Sequence, residues 1–254
     1  MCALPRQCTR VRVIVVVPCY NEEHRLPVDA FRNFAVDGSQ VDFLFVNDGS
    51  TDGTLQRLDK LRAEDPSRFA VLNLEKNSGK AEAVRRGTLA AIDRSPAVVG
   101  FWDADLATPL TEIPAFLEVF EHRPEIDMVF GARVRLLGRR ISRRASRHYV
   151  GRFGATLISQ TLGLAVYDTQ CGAKLFRVND TLRDIFSTPF LSRWIFDVEI
   201  IARLVSKRGR DAAAQAIYEL PIREWHDVHG SKVKSRDFLK ALTDLWKIRR
   251  ANRK

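Results

Sequence analysis

Cysteine is scarce in this sequence of 254 residues, which holds four scattered copies: Cys2, Cys8, Cys19 and Cys171. They form no CxxC pair, and no histidine stands at a zinc-ligand spacing from them, which disfavours a structural zinc site. So few cysteines also disfavour a disulfide-stabilised secreted domain and favour a reducing compartment such as the cytoplasm.

Long apolar stretches are missing as well. The apolar run that follows the N-terminal arginines spans only residues 13–17, which is too short for the core of a signal peptide. No stretch approaches the roughly 20 apolar residues of a membrane-spanning helix. We therefore expect a protein that is soluble or lies on a membrane surface. The patterns GxGxxG and GxxxxGK[ST] are also absent, which disfavours a dinucleotide-dependent oxidoreductase and a P-loop NTPase.

Basic residues are in excess, with 41 Lys and Arg against 31 Asp and Glu and a net charge of +10. Residues 131–154 and 230–254 together hold 17 of the 41 basic residues. Apolar residues such as Leu136 and Leu137 interleave with them, which indicates amphipathic segments that an anionic membrane surface would attract. A nucleic-acid partner is disfavoured because no nucleic-acid-binding motif accompanies the charge.

Strand-like and helix-like segments alternate through the first half of the chain. β-branched and aromatic runs predict five buried strands: "VRVIVVVPCY", "VDFLFVNDGS", "FAVLNL", "AVVGFWDAD" and "DMVFGAR". Helical patterns separate them, so the alternation predicts an α/β fold with a mostly parallel central sheet flanked by helices. A further strand is expected in "AIYELPIREW".

The end of the chain has the pattern of an amphipathic helix. Apolar and basic residues recur there at helical spacing, namely Phe238, Leu242, Leu245, Trp246 and Arg249. We expect an N-terminal extension of residues 1–10, a single domain over residues 11–230 and a basic C-terminal helix over residues 231–254.

Polar clusters stand at the ends of three predicted strands: "PCYNE", "NDGSTDG" and "DADLATP". Ligands of open α/β sheets bind at the carboxyl ends of the strands. Asp103 and Asp105 lie two residues apart on a strand, so both point to one face and could share a divalent cation such as Mg²⁺ or Mn²⁺. Alternatively, they could cap the next helix through Thr108 and Thr111.

Five segments, in their order and spacing, resemble glycosyltransferase family 2: "VVVPCYNEE", "FVNDGSTDGT", "NSGKAEAVRRG", "DADLATP" and "DTQCGAKLF". The resemblance extends from about residue 12 to residue 250 and implies the GT-A fold, a single nucleotide-diphospho-sugar transferase domain. Two further segments, "RWIFDVE" and "GSKV", are similar to the polyprenyl-phosphate sugar transferases within that family, which include the dolichyl-phosphate glucosyltransferases.

The resemblance implies roles for individual residues. It implies that Asp48 recognises the base and that Lys80 lies beside the nucleotide, whose site is lined by Pro18, Tyr20, Asn21, Glu22 and Asp103. It also implies that Asp103 and Asp105 bind Mg²⁺ or Mn²⁺, with Asp105 as the direct ligand. Each residue has a simpler alternative: Asp48 could merely end its strand, and Lys80 could be a solvated charge at a helix start.

The activity that the resemblance implies is an inverting, metal-dependent hexosyltransferase. It would move glucose from UDP-glucose to a polyprenyl or dolichyl phosphate at the inner, cytoplasmic face of the membrane. A phosphate acceptor is already ionised and needs cations to position it, for which Arg133, Ser231 and Lys232 are candidates.

Two alternatives remain open at this point. A hydroxyl acceptor of a glycolipid or cell-surface polysaccharide would need a general base, and Asp168 and Asp197 are candidates. Asp197 could instead be paired with Arg193, and Asp168 could hold a loop. A membrane- or nucleic-acid-binding protein without catalysis is disfavoured by the presence of Asp48, Lys80 and the Asp103–Asp105 pair.

Overall fold

The computed structural model describes residues 11–142, 145–226 and 235–252. Seven strands form one sheet: β1 Val11–Cys19, β2 Ser39–Asp48, β3 Phe69–Leu74, β4 Val98–Trp102, β5 Met128–Ala132, β7 Ala173–Arg177 and β8 Ile217–Pro221. Two short strands form a separate parallel pair: β6 Arg140–Ser142 and β9 Glu224–His226.

Helices follow most of the strands. In chain order they are α1 Val28–Asn33, α2 Thr54–Glu64, α3 Lys80–Ile92, α4 Ile113–His122, α5 Ala145–Leu162, α6 Asp180–Ser187, α7 Phe196–Arg208, α8 Arg210–Ala216 and α9 Ser235–Ala251. A short 3₁₀ helix, Leu110–Glu112, leads into α4.

The order of the strands in the large sheet is β3-β2-β1-β4-β7-β5-β8. All described pairings in it are parallel except those of β7, which runs antiparallel to both of its neighbours, β4 and β5. The mostly parallel sheet is therefore confirmed, together with the five strands predicted in the first half of the chain. The sequence analysis missed β7, which begins within the "DTQCGAKLF" segment and ends one residue after it.

Both faces of the sheet are covered, which explains the unbroken apolar run of β1. Ile14 and Val16 belong to one core cluster, with residues of α3, α5, α6, α7, α8 and α9. Val13, Val15 and Val17 belong to the other, with residues of α1, α2 and α4. Alternate side chains of a strand point to opposite faces, so a strand between two helical layers needs apolar residues at every position.

A helix lies within the range predicted for the C-terminal helix: α9 covers Ser235–Ala251 and packs against α5 and α7, whereas residues 231–234 and 253–254 lie outside the described residues. Its apolar face is only partly as expected: Leu245 is buried, but Trp246 is 61% exposed, and Ile248 is buried in its place. The helix is fixed in this rotation by Asp244, which is buried and accepts a hydrogen bond from Ser192 Oγ at 2.8 Å. The side chains of Phe238 and Leu242 lie outside the described part. No helix in that part has the length and apolar character needed to cross a bilayer.

Candidate active site

The sheet order brings the three polar clusters side by side. β2, β1 and β4 are parallel neighbours, so the segments that follow Asp48, Cys19 and Trp102 all leave the sheet at its carboxyl edge. Pro18 and Tyr20 are partly exposed at this edge. The geometry therefore places the predicted nucleotide-site residues where open α/β sheets bind ligands.

The turn after β1 is tied to the loop after β2. Asn21 has a φ of 53°, a left-handed conformation that asparagine tolerates better than most residues, and its Oδ1 accepts from the Thr51 backbone N–H at 2.9 Å. The Glu22 N–H donates to Thr54 Oγ1 at 2.8 Å. The Glu22 carboxylate is buried and binds Arg25 through Nε and Nη2 at 2.9 and 2.6 Å. These contacts fix the turn after β1, which forms one side of the site.

Asp48 sets the position at which α3 begins. It is buried, and its two oxygens accept backbone N–H bonds from Ser78 and Gly79 at 2.7 and 2.8 Å. Gly79 has a φ of 93°, which only glycine adopts without strain, and α3 follows directly with Lys80. Each carboxylate oxygen has two lone pairs and can therefore accept one more hydrogen bond. A direct contact between Asp48 and a base is compatible with this geometry and stays a prediction.

Lys80 and Asp103 form an ion pair at the centre of the site. Lys80 Nζ lies 2.5 Å from Asp103 Oδ1, and the two side chains remain 42% and 33% exposed. Burial disfavours the ammonium charge, but the carboxylates of Asp103 and Asp197 outweigh it and raise the pKa of Lys80. Asp103 is seated against Gly172, where a Cβ would lie only 1.9 Å from Asp103 Oδ2. This close approach requires the glycine.

Asp105 is less well compensated than Asp103. Its Oδ1 accepts the Ala107 backbone N–H at 3.1 Å. Burial, followed by repulsion from Asp103, raises the pKa of its carboxyl group, and Lys80 opposes the shift only in part. A second cation near Asp105 would relieve this repulsion.

The residues present fit a divalent cation that is shared with a phosphorylated substrate. Asp103 and Asp105 supply two carboxylates, and within the described ranges no cluster of three His, Cys, Asp or Glu side chains could hold a metal. Mg²⁺ typically binds to one or two carboxylates and takes its other ligands from water and substrate phosphates. The charge of Asp105, which its neighbours compensate only in part, agrees with that arrangement.

Asp197 lies in the first turn of α7, where it is buried and pairs with Lys174. Lys174 Nζ lies 2.6 Å from Asp197 Oδ1 and donates to the Cys171 carbonyl at 2.5 Å. The alternative pairing with Arg193 is wrong, because Arg193 Nε donates to the Ser78 carbonyl at 3.1 Å instead. Burial raises the pKa of the Asp197 carboxyl, and Lys174 opposes the shift.

Asp168 is bound by Arg133. Arg133 Nε and Nη2 donate to the Asp168 carboxylate at 2.7 and 2.8 Å, and the side chains are only 12% and 9% exposed. Burial disfavours the charge of Asp168, but Arg133 outweighs it and lowers the pKa of the carboxyl. A carboxylate held in this way is a weak base, so the geometry favours the role in which Asp168 holds a loop.

The candidates for binding an acceptor phosphate are not tested by the structure. A contact between Arg133 and an acceptor phosphate stays a prediction, and Ser231 and Lys232 lie outside the described residues.

Two charged residues of the site were not found by sequence reasoning. Arg25 stands three residues after Glu22, a spacing that allows a local ion pair and could have been noticed. Lys174 offers no comparable signal, because its partner Asp197 is distant in sequence and a lysine inside a short strand normally indicates exposure.

Comparisons with known proteins show which family the chain is similar to. The family model of "Glycosyl transferase family 2" matches residues 14–182. The dolichyl-phosphate beta-glucosyltransferase of Dictyostelium discoideum is 32% identical over 232 residues, which cover 86% of this chain and 68% of the relative. A dolichyl-phosphate beta-glucosyltransferase of Trichomonas vaginalis is 34% identical over 251 residues, which cover 94% and 73%.

A solved structure shares the fold. Glucosyl-3-phosphoglycerate synthase from Mycobacterium tuberculosis, in complex with Mn²⁺ and UDP-glucose, superposes with a TM-score of 0.64 at 18% sequence identity. The superposition covers 95% of this chain and 79% of the synthase. At this level of identity, the similarity establishes the GT-A type of fold.

Proposed function

The chain belongs to glycosyltransferase family 2, and on that premise we propose that it transfers glucose from UDP-glucose to a polyprenyl phosphate such as dolichyl phosphate. The observation that carries this proposal is the meeting of Lys80, Asp103 and Asp105 at the carboxyl edge of the sheet. The names of the D. discoideum and T. vaginalis relatives support the sugar and the acceptor. The M. tuberculosis complex with UDP-glucose supports the donor.

The reaction is a displacement at the anomeric carbon with inversion. An oxygen of the acceptor phosphate attacks from the side opposite the leaving UDP, on which negative charge grows. Asp103 and Asp105 would hold Mg²⁺ or Mn²⁺, which when bound neutralises charge on the leaving diphosphate. Lys80 adds a fixed positive charge beside them and stabilises the same oxygens.

The protonation state of the site favours a phosphate acceptor over a hydroxyl. A phosphate monoester has a second pKa of about 6 and is largely ionised at neutral pH, so it needs no general base. Both candidate bases are engaged by buried cations, Asp168 by Arg133 and Asp197 by Lys174. A hydroxyl of a glycolipid or polysaccharide is the alternative acceptor, and it would require one of these pairs to open.

Transfer of radiolabelled glucose tests the function. With UDP-glucose, Mg²⁺ and a short polyprenyl phosphate in detergent, we expect the label to appear in the lipid and to be lost with EDTA. GDP-mannose tests the donor, and the matched polyprenol without phosphate should remain unlabelled. Labelled polyprenol would support the hydroxyl alternative. If no nucleotide sugar bound in the presence of Mg²⁺ or Mn²⁺, a non-catalytic binding protein would be the better description.

We further propose that the protein works on an anionic membrane surface, at the inner face of the membrane. The loop that follows β5 rises from the same edge of the sheet as the site and carries Leu136 and Leu137, which are half and fully exposed. Arg135 and Arg140 flank them and are exposed. Paired apolar side chains between arginines suit shallow insertion among anionic headgroups.

Replacing both leucines by serine should weaken vesicle binding at least about tenfold, because fully burying one leucine contributes about 1.5–3 kcal/mol. The measurement is cosedimentation with vesicles of phosphatidylcholine and phosphatidylglycerol. Val11→Ser is the matched control, since Val11 is 40% exposed and begins β1 at the opposite edge of the sheet. Equal binding by the double variant and the wild type would contradict insertion of this loop.

A further inference from the structure

Arg193 lies in the loop before α7 and reaches across to the loop that leads into α3. Its Nε donates to the Ser78 carbonyl at 3.1 Å. A Cβ at Gly79 would lie only 2.8 Å from Arg193 Nε and 3.2 Å from Nη2, so the guanidinium packs directly against the Gly79 backbone. Lys80 is the next residue, and consecutive Cα atoms are about 3.8 Å apart. The guanidinium therefore lies beside the start of α3, at the carboxyl edge of the sheet.

Most of the hydrogen-bonding capacity of Arg193 is unused. The side chain is exposed, and among the described residues no carboxylate pairs with it and no acceptor binds Nη1 or Nη2. The bond from Nε and the contact with Gly79 nevertheless hold the guanidinium in one place. A guanidinium that is held in this way and has free N–H groups suits a phosphate, which it can bind through two parallel hydrogen bonds.

Three other donors at the start of α3 are already engaged. The backbone N–H groups of Ser78 and Gly79 donate to the Asp48 carboxylate, so they are not available to a phosphate at this end of the helix. The ammonium of Lys80 is paired with Asp103. Arg193 thus brings to this turn a positive charge that no described carboxylate balances, and an anionic ligand would balance it.

We propose that Arg193 is a donor-binding residue: its Nε–H holds the Ser78 carbonyl, and its Nη1 and Nη2 groups bind a phosphate of the nucleoside diphosphate sugar beside Lys80. This role rests on the proposed function, in which the donor is a sugar of that class. It adds a second cation for the diphosphate, from a loop that is distant from α3 in sequence. The sequence had suggested Arg193 only as a partner of Asp197.

Arg193→Met tests this role, because methionine keeps an unbranched side chain and removes the charge. Calorimetry with UDP and Mn²⁺ should show at least about tenfold weaker binding, the effect expected when a hydrogen bond to a charged group is lost. The loss should shrink at high salt, because Arg193 is exposed. Arg193→Lys keeps the charge and should restore part of the affinity.

Arg183→Met is the matched control. Arg183 is also exposed, and it pairs at 2.9 Å with Asp93, which lies at the opposite end of α3 from Lys80. The same substitution there should leave the affinity for UDP unchanged at every salt concentration.

Uridine distinguishes a phosphate contact from a role in positioning the turn. Its affinity, measured by competition against UDP, should be unchanged in Arg193→Met, because the nucleoside carries no phosphate. Equal losses of affinity for uridine and UDP would show that Arg193 only holds Ser78 against Asp48, and they would overturn the proposal. An Arg193→Met protein that binds UDP like the wild type would overturn it as well. A wild type that binds no UDP would instead refute the proposed function.

Discussion

Asparagine in place of Asp105 should lower kcat/KM for glucose transfer by about 10²–10³-fold, the range seen when one stabiliser of a transition-state charge is removed. The side chain keeps its size, but it loses the charge that would hold a divalent cation. The same change should raise the melting temperature of the metal-free protein, because Asp105 is a carboxylate whose charge is penalised by burial and by Asp103. The measurements are steady-state transfer and thermal denaturation in EDTA.

The increase in melting temperature caused by Asp105→Asn should depend on pH in a definite direction. The pKa of Asp105 is raised in the folded protein, so ionisation costs stability once the pH exceeds the unfolded value of about 3.9. The gain in melting temperature should therefore be present at neutral pH and vanish in acid. Asp59→Asn removes an exposed carboxylate of α2 and should change neither activity nor stability appreciably. An Asp105→Asn enzyme with wild-type activity would contradict the assignment.

Alanine in place of Asp168 should lower the free energy of unfolding by about 3–5 kcal/mol, the usual cost of leaving one partner of a buried ion pair uncompensated. Arg133 would lose its bidentate partner, and the Gln170 backbone N–H would lose an acceptor. Guanidinium denaturation measures the change. Asp93→Ala is the control, because Asp93 pairs with Arg183 on the surface and such pairs contribute about 0–1 kcal/mol.

Acid should remove the same stabilisation in the wild type. Arg133 lowers the pKa of Asp168 in the folded state, so the contribution of the pair is complete above the unfolded pKa of about 3.9 and is lost as the pH falls through the folded value. The difference between wild type and Asp168→Ala should shrink over that range. Equal costs for Asp168→Ala and Asp93→Ala would show that the Arg133 contact does not stabilise the fold.

The fold was predictable where local pattern and burial agree. The run Val13–Val17 has no polar alternation, which is typical of a strand covered on both faces, and β1 is such a strand. β7 could not be found in this way, because its five residues include Lys174 and Arg177. The charge of that buried lysine is balanced by the carboxylate of Asp197, which is distant in sequence, and no local pattern encodes such a partner.

The location of the site at the ends of the strands was predictable from the sequence, but the ion pairs between its charged side chains were not. The order of parallel strands implies that the clusters after Asp48 and Trp102 meet at one edge. Which charges neutralise one another depends on side-chain directions in three dimensions. From the sequence, Asp197 could either pair with Arg193 or act as a general base. The structure instead pairs it with Lys174. The rotation of α9 was misjudged for the same reason, since Asp244 bonds to Ser192 far from the helix in sequence.

The antiparallel strand β7 also constrains the order in which the chain can fold. It lies between β4 and β5 but is made after both, so during synthesis these two strands emerge with no neighbour between them. Until residue 177 has left the ribosome, each exposes an unpaired backbone edge that is prone to pairing with other chains. Closing the sheet then requires contacts between residues far apart in sequence, which is slow. A nascent chain of this protein thus depends on late insertion of the strand that carries Lys174.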